Sequence, residues 1–264
     1  MKTYQTIESD PAGAVGTIWL ARPATHNAFN ETMIAEITDC FKELSDSPAV
    51  RIIVLRGRGK SFCAGADLNW LKSAAKYTRE ENYDESLRLA RCFYSIYTSK
   101  KPTVCVVHGS SIGGANGLAA ACDFAYCTGD TVFSLSEVKI GVVPACISPY
   151  VVKRLGEYGA RDLMLTGRRV KGTEAQACGL VNKSFETMAD LEAQLGSLVK
   201  NLLTSGPDAI GQCKKLIYDV SNVLNLDTAV EHTAKVIAEI RTSPEAQEGM
   251  AAFLEKRKPS WVKE

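Results

Sequence analysis

An α/β fold, strand-rich at the start and helical over its final third, follows from three features of this 264-residue chain. Residues 50–56 (V-R-I-I-V-L-R) and 103–108 (T-V-C-V-V-H) are short β-branched apolar runs, each followed by a glycine-rich turn and a helical pattern. Runs of that length and composition read as buried strands of α/β units. The order strand, turn, helix, strand repeats through residue 135, and from Pro149 onward only helical periodicity remains.

Residues 3–9 and 15–21 flank Asp10-Pro11-Ala12-Gly13 and read as a β-hairpin, with Arg22-Pro23 ending the second strand. Asn30 is placed to cap a helix in which Met33, Ile34, Ile37, Phe41 and Leu44 recur at helical spacing, and residues 45–48 terminate it. Residues 74–98 interleave charges with Tyr83, Leu87, Leu89, Phe93 and Ile96, which predicts one amphipathic helix with a mobile charged start at 76–81. Segments of that kind border ligands. After Gly113-Gly114 the pattern predicts a small-residue helix over 118–122, then strands over 124–128 and 132–135 around Gly129-Asp130. Helices are predicted over 150–155, 160–165, 173–178, 188–203, 207–220, 227–242 and 244–256. No internal repeat or low-complexity linker divides the chain.

With 45% hydrophobic and 23% charged residues, the chain has the composition of one large α/β domain with an appended helical piece. A net charge of +1 provides no global field for nucleic acid or an anionic membrane, so an anionic ligand has to be met by local basic residues. The nine cysteines are an odd number, scattered mostly among apolar neighbours, and read as reduced core thiols. No C-x-x-C pair is present, and His26, His108 and His232 have no ligand spacing, so neither a metal nor a redox cofactor is expected. Residues 1–20 lack a basic start followed by an apolar run, no apolar stretch reaches membrane-spanning length, and a cytoplasmic protein is expected.

Two turns carry the chemistry. Gly113-Gly114-Ala115-Asn116-Gly117 follows a strand and opens a helix, an arrangement that aims backbone N–H groups at an anion or oxyanion. Tight strand–helix packing accounts for the glycines equally well. The order is not the G-x-G-x-x-G of a dinucleotide site, and Gly109-Ser110-Ser111-Ile112-Gly113 is not the G-x-S-x-G of a nucleophile elbow. Phe62-Cys63-Ala64-Gly65-Ala66-Asp67-Leu68 forms a second small-residue turn, with Asp67 placed to cap the next helix. Main-chain donors fixed in a low-dielectric cleft stabilise charge developing on an acyl oxygen, and losing one costs about 3–4 kcal/mol. Glu137 reads as a strand-end carboxylate, and partial burial there would raise its pKa toward a value suited to proton transfer.

Further motifs are Arg22-Pro23 with His26-Asn27-Ala28-Phe29, His108-Gly109 through Gly113-Gly114 to Ala121-Cys122-Asp123, and Ser134-Leu135-Ser136-Glu137. Gly141-Val142-Val143-Pro144 and Ala252-Phe253-Leu254-Glu255-Lys256-Arg257 follow in the same sequence. With both turns, this ordered set resembles the crotonase (enoyl-CoA hydratase/isomerase) family across nearly the whole chain. The resemblance implies a crotonase-type (ClpP-like) spiral of β-β-α units over residues 1–200, holding the active site. It further implies a helical trimerisation region over 201–264 and assembly as a homotrimer or dimer of trimers.

Carried over by position, the resemblance puts the oxyanion hole on the N–H groups of Ala66 and Gly114, gripping the thioester oxygen of an acyl-CoA. Glu137 matches one of the two glutamates that hydratases of the family use, and the other position falls on Gly117. Substrate contacts are implied for Ala64, Asp67, Leu68, Asn69, Asn116 and Gly117. For the CoA moiety Phe253 and Lys256 are implied, from the same or a neighbouring subunit; Glu255-Lys256-Arg257-Lys258 also reads as a solvated helix end. Glycine at 117 is expected to leave room for a bulky acyl chain and to spare a carboxylated substrate the repulsion of a second anion.

Motif by motif, the chain resembles the bacterial hydratases for 3-methylglutaconyl-CoA and isohexenylglutaconyl-CoA, of leucine/isovalerate and acyclic-terpene breakdown. The implied reaction is syn-hydration of a 2,3-enoyl thioester, a lyase activity, with Asn116, the substrate acid or water in the second polar role. A Δ3-Δ2-enoyl-CoA isomerase working with one glutamate and a non-catalytic acyl-CoA-binding relative remain alternatives. Coenzyme A is part of the substrate, and no nucleic-acid or membrane partner is implied.

Overall fold

The computed structural model describes residues 2–262, so the outermost ends of the two expected regions, residues 1, 263 and 264, lie outside it. The chain opens with β1 (Ile7–Ala12) and β2 (Val15–Leu20), paired antiparallel from Ile7↔Leu20 to Ala12↔Val15. The hairpin turn is therefore Gly13-Ala14, and β1 runs through Pro11 instead of stopping before it. Proline is tolerated there because β1 is an edge strand with no neighbour on its outer side. Residues 3–6 are not strand: the N–H groups of Gln5 and Thr6 donate to the Glu36 carboxylate at 2.7 and 2.8 Å, which draws the backbone onto the next helix.

A 3-10 turn (Pro23–Thr25) leads to α1 (Glu31–Asp46), capped as expected by the Asn30 side chain accepting from Met33 N–H. Then come β3 (Ile52–Gly57), α2 (Leu68–Ala74), α3 (Arg79–Tyr97), β4 (Thr103–Val107) and β5 (Ser110–Ile112). They are followed by α4 (Ala115–Ala121), β6 (Phe124–Thr128), β7 (Val132–Ser134) and a second 3-10 turn (Glu137–Ile140). α5 (Ser148–Thr166) is broken at Gly156, whose φ of 67° and ψ of 172° separate the two predicted helices. β8 (Arg169–Lys171), α6 (Gly172–Ala177), β9 (Lys183–Phe185) and α7 (Met188–Thr204) complete the strand-bearing part.

The segment 74–98 holds one helix, as expected, but α3 starts only at Arg79, after an elbow that joins it to α2. Thr78 and Glu81 form a reciprocal capping box that starts α3. The Asn82 side-chain amide donates to the carbonyls of Ala74, Tyr77 and Thr78 at 3.1–3.3 Å, clasping the elbow.

Among the described residues the strands form two sheets, ordered β1-β2-β3-β4-β6-β9 and β5-β7-β8. In the larger sheet only the β1–β2 pair is antiparallel. β4 is buried throughout and β3 nearly so, which is why both read as continuous apolar runs. Helix α1 buries Met33, Ile34, Ile37, Phe41 and Leu44, the residues its periodicity selects, and Cys40 beside them. Six cysteines are buried, but Cys146 and Cys178 are partly exposed and Cys213 is exposed, so the expected core location fails for these three.

Two compact units result. One holds the chain up to Ser99 together with Thr103–Ala193; the other holds Lys100–Pro102 and the chain from Gln194 onward, so the division falls within α7 and before residue 200. The second unit consists of the end of α7, α8 (Pro207–Asn222), α9 (Leu226–Arg241) and α10 (Pro244–Leu254). The Glu245 carboxylate accepts from the N–H groups of Asp208 and Ala209, tying α10 to the start of α8. Among the described residues no helix is long and apolar enough to cross a membrane.

Candidate active site

The site is framed by a loop that side chains fix before any ligand arrives. Arg22 donates to the Ala28 carbonyl and to the Asp67 carboxylate, the latter at 2.8 Å. Asn27 is fully buried in left-handed conformation, φ 57°, and its amide nitrogen donates to the carbonyls of Arg58, Ser61 and Phe62. These bonds bring Phe29 beside the turn at 63–67, where Phe29 N–H donates to Gly65 C=O and Asp67 N–H to Phe29 C=O. Residues 63–67 are pinned equally to the other turn: Cys63 N–H donates to Ser110 C=O, and Ile112 N–H to Cys63 C=O. Gly65 has φ +91°, and a Cβ on it would lie 2.8 Å from the Ile112 carbonyl oxygen, so only glycine fits.

Bridging to Phe29 through both neighbours leaves the N–H of Ala66 turned to the opposite side, as in any parallel ladder. It makes none of the turn and loop hydrogen bonds found among the described residues, and neither does the N–H of Gly114. Gly114 caps α4 and is partly exposed, and a Cβ on it would lie 3.7 Å from the Phe29 ring. Phe29 thus bonds to the 63–67 turn and lies near Gly114. Because α4 is seven residues long, the donor strength at this end comes from the amide itself more than from a helix dipole.

Glu137 is not at a strand end. β7 stops at Ser134, and Glu137 begins the following 3-10 turn, half-buried, with Oε1 3.4 Å from where a Cβ on Gly113 would stand. Its Oε2 is buried with no hydrogen-bond partner, and burial pushes the carboxyl pKa above its ordinary value. A half-buried carboxyl with one oxygen left without a partner is costly to keep ionised and is a frequent mark of acid–base chemistry.

The space expected at Gly117 is absent. A Cβ there would lie 2.3 Å from Ile147 Cγ2 and 2.9 Å from two carbons of the Phe93 ring, so hydrocarbon fills the volume a side chain would take. This corrects the idea that glycine opens the pocket to a bulky chain; what survives is that this wall carries no charge. Gly117→Ala is expected to destabilise the fold by about 1–3 kcal/mol through overpacking. In a chemical-denaturation double-mutant cycle, the loss in Gly117→Ala/Ile147→Ala should be smaller than the sum of the single losses, since Ile147→Ala removes the nearest clash.

The remaining candidates divide. Asp67 is buried with both oxygens engaged, Oδ1 capping α2 through Asn69 N–H and Oδ2 paired with Arg22, which together hold its pKa below the usual carboxylate value. Its observed role is to hold the frame. Asn116 is fully buried and donates to Gly113 C=O and Ser134 C=O, both at 2.9 Å, so its N–H groups tie the turn to β7; its Oδ1 is buried without a partner. Ala64, Leu68 and Asn69 are exposed beside Ala66. Phe253 and Lys256 belong to the second unit, both exposed at the end of α10. Lys256 takes the left-handed position after the helix, φ 57°, usually filled by glycine. Arg22, Asn27 and Phe29 stood in a motif and Phe93 in a helical pattern, but the sequence assigned neither them nor Ile147 a place at the site, because their contacts join distant parts of the chain.

Comparison with known proteins follows the same lines. The profile of the enoyl-CoA hydratase/isomerase family matches residues 10–264. The enoyl-CoA hydratase AKT6-1 of Alternaria alternata is 32% identical over 97% of this chain and 82% of its own. A peroxisomal Δ(3,5)-Δ(2,4)-dienoyl-CoA isomerase of Arabidopsis thaliana is 29% identical over 99% of this chain and 98% of its own. Among solved structures, an enoyl-CoA hydratase from Shewanella pealeana superposes with a TM-score of 0.93 at 35% identity, covering 97% of this chain and 96% of that one. Pseudomonas aeruginosa AtuE gives 0.94 at 32% identity, covering 98% and 100%.

Proposed function

The chain belongs to the enoyl-CoA hydratase/isomerase family and has the crotonase fold, and we propose that it hydrates a 2,3-enoyl-CoA with Glu137 as its acid–base group. The Ala66 and Gly114 N–H groups would hold the thioester oxygen. Ionised Glu137 takes a proton from a water molecule as the water oxygen bonds to C3. The electron pair of the C2–C3 double bond moves toward the thioester, and the resulting enolate oxygen is met by the two amides. Glu137 then returns the proton to C2, so H and OH add to one face.

The observation that carries this reading is the buried, unpartnered Oε2 of Glu137 next to Gly113. A raised carboxyl pKa brings both proton transfers nearer to working pH, and one group suffices because the wall at Gly117 is Ile147 and Phe93. A site with one carboxylate repels a carboxylated acyl group less than a site with two, which supports a 3-methylglutaconyl-CoA-like substrate. Mere acyl-CoA binding is disfavoured, since it has no use for an unpaired buried acid. The assembly that goes with this reading is a homotrimer or dimer of trimers in the cytoplasm; exposed Leu226, Val230 and Phe253 are surfaces it would cover.

Isomerisation of a 3-enoyl to a 2-enoyl thioester is the second reading, favoured by the same lone carboxylate, which can shuttle a proton without activating water. Product analysis separates the two. The expected result is a 3-hydroxyacyl product from 2-enoyl thioesters, formed faster from 3-methylglutaconyl-CoA than from a straight-chain substrate. A double-bond shift with no hydroxylated product would favour the isomerase.

A further inference from the structure

We infer that Glu85 is a positioning residue: through the indole of Trp70 it holds α2, the helix leading away from the Ala66 amide, and so sets the wall beside the reacting acyl group. The tether itself stands on geometry alone, and only its consequence for substrate rests on the hydratase reading.

Helix α2 is seven residues long and buries none of them; Leu68 is 73% exposed and Leu71 37%. A helix that short does not persist by itself, so its position depends on what ties it down. Its start is held by the Asp67 cap and the Arg22 pair, and its end by the Asn82 clasp. Between them only Trp70 reaches inward, half-buried against the core, with Nε1–H donating to Glu85 Oε1 on α3. Glu85 is 5% exposed.

Keeping a carboxylate there is costly. Burial raises the Glu85 pKa, the Trp70 bond opposes that shift, a hydrogen bond and the charge of Glu31 from α1 raise it further, and Arg88 one turn along α3 lowers it. At the elbow Tyr77 Oη donates to Glu31 at 3.1 Å, so two neighbouring acids each hold one aromatic donor. Glu31 and Glu85 line the same cavity of about 390 Å³ between α1 and α3, alongside Arg88, Arg91 and Lys42. An apolar filler would leave the Trp70 N–H without an acceptor, and a buried donor left unmade costs more than the bond itself contributes, which is what Glu85 supplies at this position.

Amide hydrogen exchange on the full-length protein without substrate, followed by steady-state kinetics, tests the proposal with Glu85→Ala, Trp70→Phe and Glu85→Gln. Glu85→Ala and Trp70→Phe should speed exchange of α2 amides about tenfold, the loss of one buried hydrogen bond, and leave β3 and β4 unchanged. Glu85→Gln, which keeps an acceptor, should retain most of the protection. KM for the 2-enoyl-CoA should rise in the first two variants while kcat holds. Unchanged α2 exchange in both, or an equal increase in β3 and β4, would overturn the tether. Faster α2 exchange with unchanged KM would overturn its positioning role. Absence of turnover by the wild type would count against the hydratase reading, and the exchange comparison would still decide the tether.

Discussion

Glu137→Gln is expected to lower kcat for hydration by about 10²–10⁴-fold, the usual contribution of a positioned acid–base group. The substitution keeps the shape of the side chain and removes only its ability to carry the proton. Because the acid acts in the chemical step, KM should change little, and kcat and kcat/KM should fall together. The fold should not suffer. A carboxyl whose folded pKa is raised above its unfolded value stabilises relatively at low pH, and that contribution is lost as pH rises through the folded value. Above that point the native state holds a buried charge, so Glu137→Gln should melt at or above the wild-type temperature at neutral pH, the advantage fading below the ordinary carboxylate range. In the wild type, the same raised pKa should move the acid limb of the rate profile upward from that range. A variant that is both inactive and unstable would point to a structural role instead.

Removing a single backbone donor should have the second-greatest effect. Replacing Gly114 with glycolic acid by chemical or suppressor methods puts an ester oxygen where the N–H stands and adds no side chain. With that N–H absent from the local turn bonds, kcat should drop about 10²–10³-fold, as for loss of one oxyanion donor. The ester also weakens the Gly113 carbonyl, which accepts from Asn116, so a modest loss of melting temperature should accompany the change. Gly114→Ala is the control. It keeps the N–H, and the new Cβ would stand 3.7 Å from Phe29, an ordinary contact.

Local features of this fold could be read from the chain, and long-range ones could not. Asn30 and the apolar spacing of Met33 to Leu44 specify α1 because cap and periodicity are both local. Among the three-residue strands, β7 was legible because the Gly129-Asp130 turn marks its start, while β5, β8 and β9 are too short for alternation to register. Thr78 and Glu81 carry a capping-box signature that places the helix start at Arg79, yet the surrounding charges read as helix from residue 74. At the site, the two turns and Glu137 were visible as residue types at a spacing. The burial of Glu137 Oε2 and the filling of the Gly117 volume were not, the latter because Phe93 reaches that place from α3 and Ile147 from the turn before α5. Asp67 was legible as a cap, but its pairing with Arg22, from the far end of the framing loop, was not.

Infrared difference spectroscopy of a 2-enoyl-CoA carrying ¹³C at the thioester carbonyl reports how strongly the protein polarises that bond. Two main-chain donors on one oxygen should shift the carbonyl stretch to lower frequency in Glu137→Gln, which binds without turning over, with a clearly smaller shift once Gly114 is replaced by glycolic acid. A bound thioester whose carbonyl stretch stays at its solution value, or whose shift is indifferent to the Gly114 N–H, would contradict the account.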